Sequence, residues 1–120
     1  MSANPFVPDD FEPPTSLVTD RFRLEPLGPQ HNERDHAAWT SSIEHIRATP
    51  SYGEGRWPPP EGMTLEENLG DLVRHAEDFA GRTGFTFTVL DASDDDVIGC
   101  VYLYPSRSAE YSRVRLIASW

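Results

Sequence analysis

The run Phe85-Thr86-Phe87-Thr88-Val89-Leu90 is followed, after Asp91 to Asp96, by Val97-Ile98-Gly99-Cys100-Val101-Tyr102-Leu103-Tyr104 and then Pro105. Both runs are rich in aromatic and β-branched residues, which fit a pleated, half-buried surface, so each predicts a strand. The polar and small residues between them suit a short connection, and Pro105, which cannot donate to a ladder, ends the second run. The two strands are expected to pair antiparallel as a hairpin.

Downstream of the hairpin, Val114, Leu116, Ala118 and Trp120 alternate with Arg113, Arg115, Ile117 and Ser119, which predicts one more strand reached through the polar loop Ser106 to Ser112. Upstream, Thr64 and Glu67 have the spacing of a capping box, in which each side chain satisfies an amide at a helix start. A helix is expected from there, with an apolar stripe of Leu65, Leu69, Leu72, Val73, Ala76, Phe79 and Ala80, closed by Gly81 and Gly84. Ser51 to Gly62, with Pro58-Pro59-Pro60 and the aromatics Tyr52 and Trp57, reads as a long irregular loop. Before it, Gly28-Pro29 opens a first helix whose His36, Trp39, Ile43 and Ile46 recur at helical spacing up to Thr49-Pro50. Arg21 to Leu27 alternates at period two and predicts the first strand, with Phe22 and Leu24 inward. Residues 1–16 carry Pro5, Pro8, Pro13 and Pro14 among acidic residues, a composition that favours an extended or surface-draped arm ahead of a domain over 17–120.

Ten basic residues face twenty acidic ones, a formal charge of −10. A field of that sign repels phosphate backbones and anionic lipid, so nucleic acid and membrane surfaces are not expected partners. It favours a cationic partner such as an amine substrate, although its ordinary role is solubility. No stretch approaches the ~18 apolar residues of a membrane span, and residues 1–10 lack a signal-type apolar run, so a cytoplasmic location is expected. Cys100, the single cysteine, sits in an apolar run, where a buried inert thiol is the natural reading.

The sequence offers little for metal or nucleophile chemistry. His31 and His36 are five apart, about 140° around a helix, and His45 and His75 have no ligand-type neighbour at three or four residues, so no metal is expected. Asp94-Asp95-Asp96 lacks the spaced ligands of a calcium loop and reads as a solvated tip. Neither a nucleophile elbow nor a glycine-rich phosphate cradle is present.

A strand, two helices joined by a long loop, and three strands of which the first two form a hairpin make an α+β order, β-α-α-β-β-β, with a mainly antiparallel four-stranded sheet. This order and the phrases Leu17 to Leu27, Phe87 to Asp91 and Val97 to Pro105 resemble the first half of the GNAT N-acetyltransferase fold. The resemblance implies transfer of an acyl group from acetyl-CoA, or another acyl-CoA, to an amine small molecule. It places Ile117, Ala118, Ser119 and Trp120 along the acyl-CoA and Tyr52 and Trp57 on the acceptor side. It names no catalytic base, Glu110 being the carboxylate nearest the last strand in sequence. The pyrophosphate-binding loop of the family has no counterpart in these residues, so the domain is expected to be partial and inactive alone. The last strand is then an edge to be covered by the missing C-terminal half or, in a homodimer, by a second copy.

Overall fold

The computed structural model describes residues 6–48, 58–105 and 112–117. Strands β1 (Leu17–Val18), β2 (Phe22–Pro26), β3 (Phe85–Asp91), β4 (Val97–Pro105) and β5 (Ser112–Ile117) lie in one sheet in chain order. Every neighbouring pair is antiparallel. The four expected strands are present, and β1 adds a two-residue extension beside β2. The β3–β4 hairpin forms as its composition demands, with Phe85 opposite Leu103 and Thr88 opposite Cys100. Its turn is built by aspartates: the Asp91 carboxylate accepts from the Ser93 amide and hydroxyl, and Asp95 takes a left-handed φ of 64°, which its short side chain tolerates.

The first helical region differs from the single helix that the apolar spacing predicts. It is a 3-10 turn (Pro29–His31), helix α1 (Asn32–Thr40) and helix α2 (Ile43–Ala48). The break falls at Ser41-Ser42, where hydroxyls compete for backbone carbonyls: Thr40 Oγ1 donates to His36 O and Ser41 Oγ to Ala38 O. Of the expected stripe, Trp39 and Ile46 are buried, whereas His36 and Ile43 are half-buried.

Helix α3 (Leu65–Ala80) starts on the expected capping box, Thr64 Oγ1 accepting from Glu67 N at 3.0 Å and Glu67 Oε1 from Thr64 N at 2.9 Å. Its expected apolar stripe is only partly internal: Leu72 is buried, while Leu65, Leu69 and Val73 are exposed along one side. The helix closes in a six-residue motif, with Thr83 N donating to Asp78 O and Arg82 N to Phe79 O. The left-handed residue of that motif is Arg82, at φ 63°, rather than Gly81. Gly84 serves a different purpose, since a Cβ there would overlap the Tyr104 ring.

The N-terminal arm, where described, lies against this corner. Phe6 and Phe11 stack on and against Phe85, and the Arg82 guanidinium donates to the carbonyls of Pro8 and Phe11. The core is formed by Leu27, Leu72 and Cys100 with Tyr102 against them, together with Trp39, Ile46, Leu90 and the phenylalanines of β3.

Candidate functional site

The sheet brings Cys100 opposite Ile117 near the last described residue of β5, and the outer edge of β5 has no partner strand among the described residues. This is the region that the resemblance assigns to acyl-CoA. Ile117 pairs with Cys100 at that end of β5. Ala118, Ser119 and Trp120, the acceptor-side aromatics Tyr52 and Trp57, and Glu110 lie outside the described residues.

Beneath the sheet, α1 and α3 are joined by a polar ladder. Asn68 Nδ2 donates to Asn32 Oδ1 at 2.8 Å and to Asp35 Oδ2 at 3.1 Å, and Asn68 Oδ1 accepts from Trp39 Nε1 at 3.0 Å. Asp35, Trp39 and Asn68 are almost fully buried. Burial pushes the Asp35 carboxyl up to about 6, against the Asn68 hydrogen bond and the nearby His31 and His36, which favour the charge. Asp35 to Trp39 is an i,i+4 step, so the sequence held the signal, but an Asp and an Asn on two helices read as solvated until the helices are placed together.

At the other end of α3, Tyr104 Oη donates to Asp78 Oδ2 at 2.9 Å and stands 2.9 Å from His75 Nδ1, with Thr86 Oγ1 3.2 Å from the same nitrogen. With the phenol proton on Asp78, a neutral His75 donates its Nδ1–H to Tyr104. Desolvation lowers the His75 pKa and raises that of Tyr104 to about 12, so both groups are neutral around pH 7.

The remaining candidates are structural. His31 is fully buried: its Nδ1 accepts from Gly28 N at 3.1 Å and its Nε2–H donates to Glu25 Oε1 at 3.0 Å. His31 and then Arg23 hold the Glu25 carboxyl below its usual range. His36 Nε2–H donates to Met63 O. Among the described residues no cluster of His, Cys, Asp or Glu could hold a metal. Cys100 is fully buried, and burial drives its thiol pKa well above the usual value, as suits an inert core residue. Among the described residues no helix is long and apolar enough to cross a membrane.

No protein-family model matches the sequence, and no curated protein matches it. Solved structures do match in fold. The ribosomal-protein-S5-alanine acetyltransferase of Vibrio fischeri is 15% identical with a TM-score of 0.67, over 87% of this chain and 55% of that one. A candidate ribosomal-protein-serine acetyltransferase of Vibrio cholerae is 13% identical with a TM-score of 0.61, over 92% and 55%. A candidate GnaT-family acetyltransferase of Bordetella pertussis is 14% identical with a TM-score of 0.56, over 87% and 58%. At such identities the likeness is one of fold. The chain has part of the acyl-CoA N-acyltransferase fold and spans a little over half the length of the structures it matches.

Proposed function

We propose that this chain is part of an N-acyltransferase that moves an acyl group from acetyl-CoA or another acyl-CoA to an amine. The observation that carries the reading is the sheet: five antiparallel strands in the fold shared with solved acetyltransferases, ending at β5 with an unpaired outer edge among the described residues. Unpaired backbone amides on such an edge can donate to a thioester carbonyl. The amine nitrogen attacks the carbonyl carbon, the C–S bond breaks, the nitrogen loses a proton, and CoA leaves as the thiol. The acidic surface favours a cationic amine over an anionic acceptor.

The test is release of free CoA thiol from acetyl-CoA in the presence of small amines, together with calorimetric titration of acetyl-CoA. These residues include no lysine, so no side-chain amine of the chain competes as acceptor. Binding with amine-dependent thiol release supports the reading. Binding without release supports an acyl-CoA site in these residues without the transfer step.

Neither binding nor release removes acyl transfer by these residues alone and leaves the alternative, a non-catalytic interaction module. The same unpaired β5 edge favours that alternative, because such edges are seldom left open and a second copy could complete the sheet. Light scattering across a concentration series separates the two: a monomer throughout removes the homodimer.

A further inference from the structure

The ladder between α1 and α3 leaves one oxygen over. Asp35 Oδ2 accepts from Asn68, but Asp35 Oδ1 has no partner although the residue is only 3% exposed. Thr88 Oγ1, on a residue that is 0% exposed, is also without a partner. Native interiors rarely tolerate such orphans, since each carries the desolvation cost of an unmade bond.

The two orphans lie on the same side of the sheet. Thr88 and Cys100 are cross-strand partners, so their side chains leave the same face of the sheet. Helix α1 packs against β4, and the Thr88 hydroxyl and the Asp35 charge both act on the Cys100 thiol, in opposite directions. The carboxyl and the hydroxyl therefore both lie on the Cys100 side of the sheet, at the seam between α1 and the β3–β4 pair.

Among the described residues no arginine or histidine forms an ion pair with Asp35. The charged or titratable groups that act on it are His31 from the 3-10 turn, His36 from its own helix, Asp71 from α3 and Cys100 from β4. The two histidines favour ionisation and Asp71 opposes it. One neutral amide donor is a thin shell for a buried carboxylate.

We propose that Asp35 Oδ1 and Thr88 Oγ1 form an internal proton-binding site that ties the docking of α1 on the sheet to pH. In its loaded state Asp35 is a carboxylic acid whose O–H is directed at the Thr88 hydroxyl through one water molecule. In its unloaded state the proton has left to solvent, and the carboxylate accepts from Asn68 and, through that water, from Thr88. The site does not depend on the acyl-transfer reading and stands or falls separately from it.

The experiment is an NMR titration of the side-chain carboxyl carbons of the aspartates in the intact chain, on the wild type and on Thr88→Val, with urea unfolding of Asp35→Asn followed from pH 4 to 8. The Asp35 carbon is expected to titrate about two pH units above the exposed aspartates. Thr88→Val should raise that midpoint further, because the ionised form loses a charge-assisted donor. Asp35→Asn should withstand more urea than the wild type above pH 7 and lose that advantage toward pH 4. An Asp35 carbon that titrates with the exposed aspartates overturns the site, and the wild-type spectrum reads this without any variant folding. A midpoint unmoved by Thr88→Val removes Thr88 from it.

Discussion

At its N-terminal end α3 presents Asn68 to Asp35, Asn32 and Trp39; at its C-terminal end it presents His75 and Asp78 to Tyr104 and Thr86. Both are polar clusters that tie one helix to its neighbours, yet they respond to protons with opposite sign. Asp35 has its folded pKa raised from 3.8 to about 6, so its contribution to stability is full below pH 4 and is lost as pH rises through 6, at a cost on the order of 3 kcal/mol. His75 has its pKa lowered, so its contribution is full above about pH 6.5 and declines as pH falls below that value. Burial is the main cause at both ends, acting on an acid in one case and a base in the other.

The largest break in this comparison is Trp39→Ala. It removes a fully buried ring and orphans Asn68 Oδ1, and is expected to cost about 3–5 kcal/mol in urea unfolding. At the opposite end Gly84→Ala drives a methyl into the Tyr104 ring, which His75 and Asp78 hold in place, for an expected loss of about 1–3 kcal/mol. A ring that swings clear would show instead as an unchanged midpoint. His75→Gln sharpens the contrast in sign: the wild type should lose stability relative to this variant as pH drops from 7 to 5, and parallel curves would remove His75 as a source of the acid response. The smallest change lies between the two ends. Gly70 is in mid-helix with open space where a methyl would stand, so Gly70→Ala should raise stability by roughly 0.5–1 kcal/mol without moving either pH midpoint.

What could be read in advance follows from where each signal resides. The β3–β4 hairpin and the start of α3 were legible because their causes are local: aromatic and β-branched runs on either side of an aspartate turn, and a reciprocal cap between Thr64 and Glu67. The break at Ser41-Ser42 was not, since hydroxyl competition for carbonyls is too weak a signal to outweigh the Trp39, Ile43 and Ile46 spacing. Arg82 in a left-handed conformation was missed for a related reason, as Gly81 beside it is the better candidate by propensity alone. Arg82 is favoured by its bonds to the arm, a contact no local rule encodes. The polar clusters at both ends of α3 depend on residues far apart in sequence and appear only when the helices and sheet meet. Of the residues named as cofactor contacts, only Ile117 lies among the described residues, opposite Cys100 on β5, and that pairing leaves its role open to experiment.

The arm's attachment at Arg82 spans 71 and 74 residues of chain. During synthesis Pro8 and Phe11 would leave the ribosome well before the residues that receive them, and the entropy of closing so long a loop is recovered only once α3 and β3 are in place. The strap thus closes only after α3 and β3 have formed, and its bonds to Arg82 are the ones first loaded when the chain is pulled from its amino terminus.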